Sequence, residues 1–233
     1  MRLLESFRAF EPDELSFVEG FKVGELSVQA GSSIFLEGHN SPHLYTVLDG
    51  WTMRYKTLEN GKRQVLNFPL RGDLLGLQNV LFDTMLHSVE ALTEVRLCVF
   101  QREGIWKLFE KHAGLAYDLT WMAAREESIL AETLAAVGQM PARERLAFAI
   151  IHLFDRARRA GMTKGKTMLT PLTQEHLADA MGLSLVHANK TLQKLKATGW
   201  VAWKGQEITL LDERKLLELS GYERPSNNRR PFI

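Results

Sequence analysis

The sequence predicts an α+β fold in three successive parts: a set of short strands, one long helix, and a helix–turn–helix trailed by a hairpin. Three observations carry this. Short runs bounded by glycine, proline, asparagine or aspartate recur about every ten residues from Gly24 to about Phe100. A proline-free stretch rich in alanine, leucine and glutamate follows, a composition that favours helix. Near the C-terminus, two capped apolar segments meet at a glycine and lead into two short β-prone runs.

Composition sets the class. The chain has 233 residues, 45% hydrophobic and 24% charged, as expected of a soluble globular protein rather than a disordered one. One cysteine, Cys98, excludes a disulfide framework, a multi-cysteine zinc site and a four-thiolate iron–sulfur cluster within the chain. No apolar run is long enough to span a bilayer. The opening MRLLESFRAFEPDELSF carries acids early and lacks the apolar core of a signal peptide, so a cytoplasmic location is expected. The net charge of +1 hides an asymmetry. Residues 1–140 hold 13 Lys+Arg against 19 Asp+Glu, and residues 141–233 hold 16 against 9. An acidic front and a basic back point to two parts with different partners, the basic one suited to nucleic acid.

In chain order, residues 1–20 read as partly helical, with Leu3, Leu4, Phe7, Phe10, Leu15, Phe17 and Val18 as apolar positions. SIFLEG, LYTVLDG, WTMRYKTL, RQVLNF and VRLCVF then read as strands of a barrel, roll or sandwich. Asn60-Gly61 is the clearest hairpin signal, since both residues tolerate positive φ. A helix is predicted from about Ala113 to Val137, with Leu115, Leu119, Met122, Ile129 and Leu130 near one stripe that Leu134 and Val137 continue. At 1.5 Å per residue it is roughly 37 Å long, and a seam of that kind suits pairing with a second copy. Gly138 to Pro141 punctuates the chain, and ARERLAFAIIHLFDRARRAG reads as a further amphipathic helix ending at Gly161. MTKGKTM reads as a polar link and GYERPSNNRRPFI as a loosely ordered tail. The acids Glu126 and Glu127 read as solvated surface.

Residues 169–212, LTPLTQEHLADAMGLSLVHANKTLQKLKATGWVAWKGQEITLLD, carry the chemistry. Thr173 caps a short helix that buries Leu177, Ala178 and Met181 and stops at Gly182. Ser184 caps a second helix ending at Gly199. Its inner face is Val186 or Ala188, Leu192 and Leu195; its outer face carries His187, Asn189, Lys190, Gln193, Lys194 and Lys196. WVAWKGQEITLLD adds a hairpin, the wing. In such an arrangement the second helix enters the DNA major groove. Backbone amides near Thr173, Gln174, Ser184 and Leu185 suit phosphates, and Lys190, Lys194 and Lys196 add charge. Base reading falls to Leu185, Val186, His187, Asn189 and Lys190, with Asn189 suited to adenine, Lys190 to guanine, and Leu185 or Val186 to a thymine methyl. No P-loop, G-x-S-x-G, H-E-x-x-H or G-x-G-x-x-G occurs, so no enzymatic or catalytic role is expected.

With LYTVLDGWTMRYKTLENGKRQVLNFPLRGDLLG in the roll and LTQEHLADAMGLSLVHANKTLQKLKATGWV in the reader, residues 24–212 resemble the Crp/Fnr family of bacterial transcription regulators. The resemblance implies an N-terminal double-stranded β-helix of the cyclic-nucleotide-binding type (1–112), a long dimerisation helix and hinge (113–140) and a C-terminal winged helix-turn-helix (141–233). It implies a homodimer on a near-palindromic double-stranded DNA operator, contact with RNA polymerase if the protein is an activator, and coupling of a signal to the readers about the Gly138–Pro141 hinge.

The family's cyclic-nucleotide cassette, Phe-Gly-Glu followed by Arg-Ser or Arg-Thr, reads here as Leu75-Gly76-Leu77, with Met85-Leu86 near the second pair. Its polar pair on the long helix aligns with Leu130-Ala131. Carboxylate and cation are both missing, so cyclic AMP is not expected, and no metal or other cofactor is predicted. Haem held by a histidine is the alternative, although His39, His43, His87, His112 and His152 have no diagnostic spacing and read as surface or cap residues. Cys98 in RLCVF reads as a buried small hydrophobe. The reader lacks the glutamate that family members use on cytosine, so a different operator is expected. A module acting through protein contacts is the competing reading, and the outward lysines of the second reader helix speak against it.

Overall fold

The computed structural model describes residues 8–225 and 231. The expected helical positions Leu3, Leu4 and Phe7, and most of the C-terminal tail, lie outside them. The described residues divide into two compact units: residues 8–56, 68–128 and 231 form one, and residues 57–67 and 129–225 the other.

The first unit opens with α1 (Pro12–Phe21), where Pro12 sits in the first turn and needs no amide partner. Its strands are β1 (Lys22–Val28), β2 (Ser33–Phe35), β3 (His43–Asp49), β4 (Thr52–Thr57), β6 (Leu74–Leu75), β7 (Ser88–Ala91) and β8 (Val95–Gln101); β5 (Arg63–Asn67), which follows β4 through a tight turn, is counted with the second unit. One sheet runs β1-β8-β3-β6, and β2, β7 and β4 lie side by side in the other. All pairings are antiparallel.

The predicted strand runs all contain strands. β1 was not among those runs, because it keeps most of its side chains exposed and bulges at Gly24, so no apolar alternation marks it. At the β4–β5 turn only Gly61 has positive φ, +77°. Asn60 contributes its side chain instead, whose Oδ1 accepts from the Lys62 amide at 3.0 Å.

Phe35, Tyr45, Val47, Leu75, Met85, Val89, Val95 and Leu97 fill the roll. After β6 comes the short α2 (Gln78–Leu81), and a second cluster, Leu44, Cys98, Phe100, Leu108, Leu115, Leu119 and Met122, joins the strands to α3 (Ile105–Lys111) and to the long helix α4 (Ala113–Gln139). This corrects the seam. Leu115, Leu119, Met122 and Ile129 are buried within the protomer, while Tyr117, Leu130 and Leu134 are the large apolar residues on the exposed face.

Arg8 ties the N-terminal segment to α4. Its Nη1 donates to Glu14 at 2.8 Å and its Nε to the buried carboxylate of Asp118 at 2.9 Å. Glu14 also accepts from the Glu11 amide, and its carboxyl packs so closely on Gly114 that a Cβ there would lie 2.4 Å from Oε1.

The second unit is built on α5 (Ala142–Arg159), whose residues 146–157 are all buried. Around it lie α6 (Gln174–Met181), α7 (Leu185–Ala197), α8 (Glu213–Ser220) and a four-stranded sheet of order β11-β12-β10-β9. The wing strands are β11 (Val201–Lys204) and β12 (Glu207–Leu210). The segment read as a polar link instead supplies β9 (Thr163–Lys164) and β10 (Thr167–Leu169) around Gly165, at φ +59°. Short polar strands carry no periodic signal; their place is set by β12, on which β10 pairs. α8 had a readable signal, an Asp212 cap and a left-handed Gly221 stop.

Replacing Arg8 by alanine strands the buried Asp118 carboxylate and is expected to cost about 1–3 kcal/mol, read as a lower midpoint in urea. The Arg8 hydrogen bond holds the Glu14 carboxyl below its ordinary 4.5. Its contribution is therefore complete above that value and disappears as the pH falls through the depressed one. In the Arg8→Ala protein, the acid side of the stability profile is expected to flatten.

Candidate nucleic-acid interface

The helix–turn–helix is set by its caps. The Thr173 hydroxyl accepts from the His176 amide at 3.2 Å, and the His176 ring returns a contact to the Thr173 amide at 3.3 Å. Leu177, Ala178, Ala180 and Met181 bury the inner face of α6. Gly182 ends the helix at φ +61°, ψ 38°. The last carbonyls of α6 have partners: Arg145 Nη1 donates to Met181 at 2.8 Å and Gln64 Nε2 to Ala180 at 3.2 Å. Ser184 starts α7 by accepting from the His187 amide at 3.3 Å.

Of the two inner-face options, Ala188 is the buried one, with Thr191, Leu192 and Leu195 beneath the rest of the helix. Val186 points outward, 64% exposed, beside Leu185 at 44%. His187, Lys190, Gln193 and Lys194 are exposed, and Lys196 is half-buried. Of the first-helix positions, Thr173 is exposed and Gln174 half-buried. The structure thus brings Leu185, Val186, His187, Lys190, Gln193 and Lys194 onto one open face. Asn189 stands apart: its Oδ1 is buried without a partner, so pairing with adenine requires the amide to turn outward. On α6, burial and then neighbouring Glu175 raise the pKa of the half-buried Asp179 carboxyl. Trp203 Nε1 donates to the Gly205 carbonyl at 3.1 Å and braces the wing tip.

Residues 25–112 match the cyclic nucleotide-binding domain family, and residues 144–219 match the Crp-like helix-turn-helix domain. The chain is 29% identical over 215 residues to the transcriptional activator protein FnrL of Cereibacter sphaeroides, covering 91% of this chain and 86% of the relative. It is 28% identical over 191 residues to the nitrogen fixation regulation protein FixK of Bradyrhizobium diazoefficiens, covering 82% and 79%. The solved structure of FixK2 from Bradyrhizobium japonicum superposes with a TM-score of 0.75 at 25% identity, over 86% of this chain and 98% of that one. The chain belongs to the Crp/Fnr family. It is a transcription regulator with a helix-turn-helix DNA-binding domain, in a family whose members are not enzymes.

The Crp/Fnr roll does not fit a cyclic nucleotide at the positions the family uses. Leu77 packs against the lower apolar cluster, and Met85 is buried in the roll core. A Cβ on Gly76 would lie 2.8 Å from the Phe35 ring, which fills the space above that turn. Leu130 and Ala131 are exposed on α4. None of these residues supplies an acid for a ribose hydroxyl or a cation for a phosphate.

His87, read as a loop or cap residue, is buried at 4% exposure, and burial followed by nearby Arg54 and Lys56 pulls its pKa down to about 3. His43 opens β3, and His152 stacks on Phe148 inside α5 at 5.3 Å between ring centres. Cys98 is buried, and burial raises its thiol pKa away from the reactive thiolate. Among the described residues, no three His, Cys, Asp or Glu side chains gather as a metal site. No described helix is long and apolar enough to cross a membrane. Glu126, read as solvated, is half-buried and pairs with Arg54 at 2.5 Å; Glu127 is exposed.

Two substitutions test the turn. Gly182→Ala forces a Cβ into the left-handed region, 3.4 Å from Val137 Cγ1, and is expected to cost about 1–2 kcal/mol of stability. Ser184→Ala removes the α7 cap and is expected to cost about 1 kcal/mol. Both are read by chemical denaturation.

Proposed function

We propose that this regulator works as a homodimer that places its two α7 helices in successive major grooves of a near-palindromic operator. The observation that carries this is the fully buried inner face of α7, which leaves Val186, His187, Lys190, Gln193 and Lys194 open on the other side. In this reading, the amides at Thr173-Gln174 and Ser184-Leu185 hold phosphates at the two helix starts. Lys190 addresses a guanine, Leu185 and Val186 meet thymine methyls, His187 lines the base edge, and Asn189 joins after its amide turns. Lys194 and Lys196 neutralise phosphates. The working parts are the roll in 1–112, the dimer helix and hinge in 113–140, and the reader in 141–233.

The outer face of α4 supports the dimer. Tyr117 and Leu134 are 69% and 73% exposed, and Ala123, Ala124, Leu130, Ala131 and Ala135 lie exposed on the same helix. Small residues allow close approach of a second copy, and Leu130 and Leu134 gain burial there. The dimer operates in the cytoplasm under an effector taken by the roll, and touches RNA polymerase where it activates. Cyclic AMP is not that effector.

Anisotropy titration against selected operator DNA tests the reading. Lys194→Ala is expected to lower the slope of log K against log salt by about 0.9 per phosphate contact removed. Lys190→Ala should instead relax selectivity at one base pair, at about 1–3 kcal/mol. Binding that ignores salt would defeat it. Leu134→Arg is expected to yield monomers in sedimentation velocity and to weaken operator binding, while Lys190→Ala stays dimeric.

A further inference from the structure

Most of the roll interior is apolar, but one corner is not. Arg54 faces Val89 across the β4–β7 ladder, and His87 immediately precedes Ser88, which faces Tyr55 at the end of that ladder. Residues two apart on a strand share a side of the sheet, so Arg54 and Lys56 line one face with Val89, and both cations act on the nearby buried His87. Thr52, on that face two residues before Arg54, is buried and spends its hydroxyl on the Pro69 carbonyl at 2.9 Å.

The Arg54 side chain is 9% exposed. Its Nη1 donates to Glu126 of α4 at 2.5 Å, while its Nε is buried without a partner. The Nε2 of His87 is likewise buried without a partner. Lys56 holds Glu37 at 3.0 Å, so each of the two cations has an acid, and both act on the His87 imidazole.

A guanidinium that gives one nitrogen to Glu126 keeps its Nε edge, a planar fork matched to the two oxygens of a carboxylate. Buried donors left unmatched are rare and call for a partner. Val89, which faces Arg54, belongs to the apolar cluster of Phe35, Tyr45 and Met85, so a small partner suits this corner.

We propose that the roll binds a small organic carboxylate through the Nε edge of Arg54, with His87 as the second contact and Glu126 as the group sharing the guanidinium. The proposal rests on the reading of this chain as an effector-controlled regulator and names the effector's chemical class. The ligand and Glu126 share one cation, so binding changes how tightly β4 holds the long helix. Neither residue belongs to the positions that serve a cyclic nucleotide in the family.

Calorimetric titration of the full protein with acetate, succinate, benzoate and citrate, with cyclic AMP alongside, tests it. At least one carboxylate is expected to bind, more tightly than cyclic AMP, and to move the His87 imidazole signals in a carbon–proton correlation spectrum. Arg54→Lys keeps a cation opposite Glu126 but removes the fork, and is expected to weaken that carboxylate about tenfold. His87→Gln retains a donor and is expected to bind more weakly than the parent but more tightly than Arg54→Lys. Absence of binding by all four carboxylates, a preference for cyclic AMP, or unchanged affinity in Arg54→Lys would overturn the proposal. Operator binding is measured separately on the same preparations. Salt-sensitive operator binding without a carboxylate response sinks the ligand and leaves the regulator standing; loss of operator binding alone does the reverse.

Discussion

The basic surface of α7 depends on what lies under it. Ala188, Thr191, Leu192 and Leu195 are all buried, Leu195 completely. Burying each leucine stabilises by about 1.5–3 kcal/mol, more than any one surface lysine contributes by its charge. Packing therefore fixes the rotation of the helix, and the helical period then has no choice but to send positions 186, 190, 193 and 194 outward. Gly182 sets where the helix starts and Ser184 caps it. The reading face is a consequence of these constraints rather than a separate design.

That dependence explains why the reader was legible in the sequence. Caps, glycine stops and a 3.6-residue period are local, and each agrees with the fold around it. Thr173, Gly182, Ser184 and Gly205 all stand where their residue types foretell. The long helix was legible in extent but not in orientation. Its large apolar stripe and its small-residue stripe both run at helical spacing, and sequence periodicity cannot say which partner takes which. The protomer's own apolar cluster takes the bulky side, Leu115, Leu119 and Met122, because that side buries more surface. Alanines, with Tyr117, Leu130 and Leu134, are left on the outside.

The roll was legible in outline through its glycine-bounded runs, and its polar interior was not. Burial of His87 and Arg54 arises from residues distant in sequence, on β4, beside β7 and on α4. Nothing in the spacing of Arg54, His87 and Glu126 marks them as neighbours. A histidine outside the regular elements is usually a surface group, and the rule fails here because His87, one residue before β7, is buried in the fold. Glu126 failed for the same reason: adjacent acids on a helix suggest solvent, until one of them meets a buried cation.

These two errors have a common physical root. A helix face or a cap states its needs within a few residues, whereas a buried ion pair states them only when distant elements close on it. The Arg54–Glu126 pair is costly to desolvate, and burying it gains less than an apolar pair of equal volume would. Its worth lies in being divisible: one guanidinium can serve two acids, and a ligand acid shifts the balance only so far as it binds one arrangement of α4 better than another. By linkage, whatever such a ligand does to operator affinity, the operator must do equally to the ligand. A roll packed wholly with leucine and phenylalanine would be more stable and deaf. The polar corner is where this fold trades some of that stability for the capacity to respond.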